Sequence, residues 1–543
     1  MRKKDQRRNN LHIIESVKKP VSDFYTNKRE DFEIKITDYL YFCAIMKLEM
    51  EVLMKQIFRL SLVVFVVLSS ISCGSQPESN INEESSSNIS VPDTDSNSKE
   101  ITTAEADPEN VDESLGIPDK PLSEDGPWLI MNSSQGLFAI NPDGSGLTQF
   151  VESMVQLPKP EQITAAKRGG YIAYHGSGGN ENDTAIHIVD FPSLELVAEI
   201  PLFTYSNEPD WNALRAIQEY QSMAFSPDGR YLAFMGVIDG PTSDLYTYSL
   251  ESDKVTQLTD GRTQGYKTVW SPDGKYILHT GAYGFGTGAG FSTEGVWAAK
   301  TDTSVKSLYT PPPDSAEMIL GWVNDETFVV YSWSQPCGPH NLRTFNVENR
   351  ESTILWRESF KEIALDPSSD TIVLNTWRND EICVPEDKAG IFFIPVFGGD
   401  PQRVSEITEA VVVWWSPAGK LFIASGGGFG FDEWALGVDT FGRIVEIERP
   451  SEGYYLPEIS PRSNYLFWTG QSPHIGSIDN SIPTKQYFDE SIQRAIWTPD
   501  GGAVIFAADS GLYIAHQPEF EAILISPDVE VKRTDAYFVW LNP

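Results

Sequence analysis

One short string recurs along this chain and limits what it can fold into. Residues 222–236 read SMAFSPDGRYLAFMG, 267–281 KTVWSPDGKYILHTG, 412–426 VVWWSPAGKLFIASG and 494–508 RAIWTPDGGAVIFAA. Weaker copies stand at 164–176, 319–332, 363–376 and 457–470. In the strong copies a short apolar run ends in an aromatic residue, such as Trp270 or Trp497, and a tight turn follows. Pro272 presets φ for that turn, Asp273 can bond its backbone, and Gly274 supplies the positive φ that closes it. The alternating run from Tyr276 to His279 then reads as the return strand of a β-hairpin. In the copy that starts at 222, a third strand is read at 244–248 and a fourth at 255–258. Four antiparallel strands in every repeat of about 40–50 residues make a propeller blade.

Repeats start near residues 164, 222, 266, 317, 360, 410, 456 and 493. The two ends of the repeat region complete them. The segment from Trp128 to Phe150 lacks an opening strand, and Tyr537 to Pro543 is an opening strand with nothing after it. The C-terminal strand is therefore expected to join the N-terminal blade and close the ring, which removes open sheet edges. Propellers typically have about 4–8 blades, and one weak copy can be an insertion. The best estimate is thus an all-β fold, a single β-propeller of eight four-stranded antiparallel blades over residues 126–543, with nine and seven as alternatives. An aromatic fraction of 12%, with 41 Gly and 35 Pro, suits short strands and tight corners. A pair of β-sandwiches would explain neither the recurring corner nor the complementary ends.

The strings Phe225-Ser226-Pro227-Asp228-Gly229, Trp270-Ser271-Pro272-Asp273-Gly274, Trp415-Ser416-Pro417 with Gly419, and Trp497-Thr498-Pro499-Asp500-Gly501 resemble the WD40-like repeat of TolB-type propellers. Asn141-Pro142-Asp143-Gly144-Ser145 resembles the outer-strand turn of the same repeat. The repeat is also found in the propeller domains of prolyl-oligopeptidase-type peptidases. The resemblance implies the propeller fold and leaves function open. TolB carries a small α/β domain before its propeller, and the peptidases carry a hydrolase domain beside theirs. Neither is read in this sequence, and no Gly-x-Ser-x-Gly nucleophile elbow is found.

Ahead of the repeats, Met54 to Cys73 reads MKQIFRLSLVVFVVLSSISC. Lys55 and Arg59 precede an apolar run from Leu60 to Leu68, and small residues follow, the pattern of a bacterial secretory signal. The run is short for a membrane-spanning helix. The segment resembles a lipoprotein signal, which implies lipidation of Cys73, although Ser70 stands where that signal prefers Leu. Ordinary cleavage and an uncleaved anchor are the alternatives. Residues 1–53 precede the signal and are expected to be a non-native extension, the alternative being a cytoplasmic tail. Residues 74–125 are acidic, rich in Ser and Asn, and contain no aromatic residue. Such a stretch buries too little apolar surface to offset its ordering entropy, so a disordered spacer is expected. Together these segments predict an exported protein, lipid-anchored on the extracytoplasmic face of the cell envelope.

Residues that could carry chemistry are few. A net charge of −36 repels phosphate backbones and argues against nucleic-acid partners. No His-Glu-x-x-His or other close histidine pair is present, and no metal or cofactor is expected. His187 and His279 read as strand residues, and His175, His340 and His474 as loop residues. Cys337 and Cys383 follow the second strands of adjacent repeats, and export permits oxidation, so a disulfide between them is expected. Two glycine-rich stretches, 281–291 and 426–431, read as long loops between second and third strands, without the Lys-Ser/Thr of a phosphate loop. Their aromatics, Tyr283, Phe285, Phe291, Phe429 and Phe431, form a candidate binding rim. The expectation is a non-catalytic propeller that binds an envelope protein, peptide or glycan through loops on one face. A propeller enzyme acting on glycans or peptides with channel carboxylates and a purely structural envelope protein are the alternatives.

Overall fold

The recurring corner is held by a residue that the turn chemistry alone did not single out. Ser226 Oγ donates to Asp228 (2.6 Å) and accepts from the Tyr231 N–H (3.0 Å), while the Gly229 N–H bonds the Ser226 carbonyl (2.9 Å). Ser271 repeats the arrangement with Asp273 and Tyr276, and Thr498 with Asp500 and Ala503. Gly229, Gly274 and Gly501 take φ of +74°, +75° and +72°, where a side chain would be strained. The hydroxyl thus bonds both the turn and the first residue of the return strand, which fixes the hairpin register.

In this computed structural model the described residues are 117–543, apart from 153–157, 177–183, 206–210, 286–290, 302–315, 335–336, 377–382, 407–409, 417, 420, 426–432, 439–443, 448–456, 463–464, 472, 480 and 532–535. Cys73 and the expected leader, signal and most of the spacer lie outside the described residues. Each repeat folds as an antiparallel meander in which every strand pairs with the next. Eight sheets have four antiparallel strands, and one further sheet has three described strands, Gln264–Trp270, Tyr276–Phe285 and Phe291–Lys300. Numbering sheets along the chain, this is sheet 4. Sheets 2 to 9 open with strands Ile163–Ala165, Met223–Phe225, Gln264–Trp270, Ala316–Trp322, Glu362–Leu365, Ala410–Trp415, Glu458–Ile459 and Ile492–Trp497. Each start read from the sequence, weak copies included, therefore opens a sheet within two residues.

Sheet 1 is built from both ends of the repeat region. Strands Thr148–Glu152, Gly136–Ile140 and Trp128–Ser133 are joined by Phe538–Leu541, with Trp128 opposite Leu541 and Ile130 opposite Val539. The ring is closed as expected. Sheet 1 also explains why these strands read as unbroken apolar runs rather than alternating ones. Trp128 and Ile130 pack against Ile163, Ile172 and Val189 of sheet 2, while Leu129 and Met131 pack against Ile505, Leu512 and Ile514 of sheet 9. A blade is covered on both faces, so both side-chain sets are buried.

Opening strands of neighbouring sheets are tied by the tryptophans of the signature. The indole N–H of Trp270 bonds the Ala224 carbonyl (2.8 Å) and that of Trp322 the Val269 carbonyl (3.1 Å). Trp415 bonds Ala364 (3.3 Å), Trp497 bonds Glu458 (3.0 Å), and Trp540 bonds Trp497 across the closure (2.7 Å). Five sheet junctions thus carry the same indole-to-backbone bond.

Residues 117–125, read from the sequence as spacer, pack on the first sheet. Leu122 and Ile117 pack against core clusters, and the Ser123 carbonyl accepts the Trp128 indole N–H (2.7 Å). One helix, Trp211–Gln218, interrupts the connection from sheet 2 to sheet 3. It buries Ala213, Ala216 and Ile217, the i, i+3, i+4 stripe of an amphipathic helix. Among the described residues no helix is long and apolar enough to cross a membrane.

Candidate functional site

A meander sorts its connections onto two faces. The Ser-Pro-Asp-Gly corners and the turns between third and fourth strands share one face. Connections from second to third strand, and from each sheet to the next, share the other, called here the variable face. The corners are nearly alike, so specificity has to come from the variable face.

Several features gather there. Cys337 and Cys383 form a disulfide with Cα atoms 5.4 Å apart, joining the second-to-third connections of sheets 5 and 6. Ser359, between those sheets, donates its hydroxyl to the Cys337 carbonyl and its N–H to the Cys383 carbonyl (3.2 Å). Among the described residues six aromatic side chains are exposed: Tyr205, Trp211, Tyr231, Tyr283, Trp333 and Phe397. Four of them stand on the variable face. The Tyr205 N–H bonds the Val237 carbonyl (3.2 Å), just past the second strand of sheet 3. Trp211 begins the helix, whose Ala216 packs with Tyr266 and Ala282 of sheet 4. Tyr283, 63% exposed, and Trp333 close the second strands of sheets 4 and 5.

Beside this arc, between sheets 3 and 4, lies a cavity of about 310 Å³. Its lining residues include Asp244, Asp260, Arg262, Thr263, His279, Glu294 and Trp297. The sheet 3 wall is tightly bonded. Asp244, buried, accepts from Thr242 (2.9 Å), Thr259 (3.1 Å) and the Gly261 N–H (2.9 Å). Burial pushes its carboxyl above the ordinary range, and these bonds oppose that shift. Ser243 bonds Gln264 and Gly265 (2.7–3.1 Å), locking the next strand in place.

The opposite wall is the second hairpin of sheet 4. His279 faces Trp297 across the register. His279 is 7% exposed and its Nδ1 has no hydrogen-bond partner. Burial holds its pKa down to about 4, so the ring is neutral at pH 7. Glu294 accepts from Thr263 (2.9 Å) and from the Tyr283 hydroxyl (3.3 Å). Gly281 marks where these groups converge. A Cβ there would stand 2.9 Å from Trp297 Nε1, 3.0 Å from Thr263 Oγ1 and 3.2 Å from Glu294 Oε2. Only glycine leaves that space open.

The charged groups of the opening strands do different work. Glu458 pairs with Arg494 (3.3 Å) between sheets 8 and 9, and Lys267 donates to the Ile319 carbonyl (3.0 Å) between sheets 4 and 5. Burial pushes the Glu458 carboxyl up, opposed by Arg494. Glu317, fully buried, meets the Arg343 guanidinium within sheet 5. These carboxylates face arginines and tie strands together.

Of the five aromatics of the expected rim, Tyr283 alone has a described side chain. Tyr283 is exposed on the variable face, and its hydroxyl donates to Glu294 (3.3 Å). Phe285 and Phe291 pair with each other at the ends of their strands, but their side chains lie outside the described set. Phe429 and Phe431 lie outside the described residues. The glycine-rich stretch 281–291 is not all loop: pairing continues through two bulges to Phe285. His175, His340 and His474 are strand residues, not loop residues. Asp244, Glu294 and Trp297 were not singled out from the sequence. They come from two repeats, and only the packing of sheets 3 and 4 places them together.

No protein-family model matches the chain. A stretch of 62 residues, 11% of the chain, is 44% identical to a Bacillus subtilis protein named an uncharacterized peptidase, and spans 9% of that relative's length. Among solved structures, a eukaryotic initiation factor shares the fold at 15% identity and TM-score 0.51, over 77% of this chain and 99% of that one. A Porphyromonas gingivalis dipeptidyl peptidase 4 is similar at 12% identity and TM-score 0.42, over 66% and 58%. The likeness to the initiation factor concerns the fold alone. The match to a peptidase-named protein overturns the expectation that the chain is not an enzyme. The absence of a nucleophile elbow was too narrow a ground, because it excludes one catalytic design and no other.

Proposed function

We propose that this chain handles peptides, holding them on the variable face of an envelope-tethered propeller. The observation that carries the reading is the arc of Tyr205, Trp211, Tyr283 and Trp333 beside a cavity whose lining carries a net negative charge. Rigid aromatics supply contact area at low entropic cost, and the cavity supplies polar groups that fix orientation. The peptidase name of the short sequence match points to the same ligand class.

The purified full chain would be titrated with short peptides and with neutral oligosaccharides, following tryptophan fluorescence, and the mixtures analysed for cleavage products. Peptides are expected to bind saturably, with affinity falling about tenfold in Trp211→Ala or Trp333→Ala, as for an aromatic anchor worth about 1–2 kcal/mol. Binding of oligosaccharides with no binding of peptides would overturn the reading. The tether belongs to the same proposal: Cys73 carries the lipid and residues 74–116 space the propeller from the membrane. Cells fed a clickable fatty acid should label the wild-type chain and not Cys73→Ala. Equal labelling of the two removes the tether.

A further inference from the structure

The carboxylates of the opening strands and those of the cavity differ in their partners. Glu317 and Glu458 each face an arginine. Asp244 and Glu294, on the two walls of the cavity, form no ion pair with any described residue; their bonds come from hydroxyls and one backbone N–H. Arg262 stands exposed at the same cavity and pairs with neither. A carboxylate drawn out of water without a cation is costly unless something else brings the charge.

Three further observations describe what that something is. His279 is buried, neutral and unbonded at Nδ1, so it adds no positive charge to the lining. The Trp297 ring lies in the wall with its Nε1 edge nearest the Gly281 position, so it adds apolar surface and no charge. Gly281 keeps open the point on which Glu294, Thr263 and Trp297 converge. The volume, about 310 Å³, lies at the lower end of the roughly 300–1,000 Å³ of small-ligand sites.

We infer that this cavity is a receptor for a cationic nitrogen, a primary ammonium or a guanidinium, carried by the bound peptide. Glu294 accepts its N–H groups, and Asp244 supplies a second negative charge from the sheet 3 wall. The inference rests on the peptide reading and narrows it to peptides with a basic side chain or a free amino terminus.

Four alanine-tyrosine peptides distinguish the sources: both ends blocked with one lysine, both ends blocked with one arginine, a free amino terminus with no basic residue, and both ends blocked with neither. At least one cationic peptide is expected to bind the full chain tenfold or more tightly than the neutral one. Which peptide does so identifies the source. The preference should shrink to within twofold in Glu294→Gln and in Gly281→Ala, while affinity for the neutral peptide is unchanged. Glu294 is only partly buried, so Glu294→Gln should fold even if Gly281→Ala does not; thermal melting checks both. Equal binding of all four peptides overturns the cation site and leaves the peptide reading standing. A preference that survives Glu294→Gln also overturns it. No binding of any peptide overturns both.

Discussion

His175 lies in the second strand of sheet 2, buried, with neither ring nitrogen hydrogen-bonded. Burial lowers its pKa from 6.5 to about 4. The unfolded chain therefore binds a proton between pH 6.5 and 4 that the folded chain refuses. Stability is full above pH 6.5, falls as pH drops through that window, and levels off below about 4. The loss is up to about 3 kcal/mol per such histidine, and His279 adds a second. Urea midpoints measured from pH 7 to pH 4.5 should fall steeply in the wild type and less steeply in His175→Leu. An unchanged slope in the variant would show that His175 is not what titrates. At the same scale the corner was largely readable: Pro, Asp and Gly announce a turn by their own chemistry. The clamping hydroxyl of Ser226, Ser271 and Thr498 was not, because its partner lies five residues away across the hairpin.

At the scale of elements, the opening strands were legible because each carries its own corner. The helix Trp211–Gln218 was also within reach. Its buried residues 213, 216 and 217 have helical spacing, but they sit in a connection where the repeat predicts no element. The strand from Tyr276 to Phe285 was not legible past Gly281. Glycine is depleted from strands, and here pairing with the next strand overrides that preference. The tryptophans show how an element acquires a second role. The sequence reads Trp270 or Trp497 as the end of an apolar strand. The fold also uses the indole N–H to bond the neighbouring sheet, a net contribution of roughly 1 kcal/mol at each of five junctions. That partner belongs to another repeat some 40–50 residues away, as Trp270 is from Ala224 and Trp497 from Glu458.

At the scale of the whole molecule the decisive contact joins the two ends of the repeat region. Phe538 and Leu541 are buried in the clusters on either side of sheet 1, and Trp540 bonds back to Trp497. Removing residues 537–543 would uncover the edge of Trp128–Ser133 and both clusters. Two buried side chains at roughly 1.5–3 kcal/mol each make the loss about 4 kcal/mol. The truncated chain should melt at lower temperature and be cut by protease within sheet 1 or sheet 9. A melting curve matching the full chain would mean that closure contributes nothing.

The sequence by itself determined the all-β class, the repeat starts, the closing strand and the likeness to TolB-type propellers. Each rests on local chemistry or on complementarity visible in one dimension. Tertiary structure alone decided where the candidate site lies. Asp244 belongs to one repeat, His279, Glu294 and Trp297 to the next, and neither repeat marks them as special. Their chemistry arises when two sheets pack and bring together two carboxylates that form no ion pair among the described residues, and no spacing along the chain encodes that.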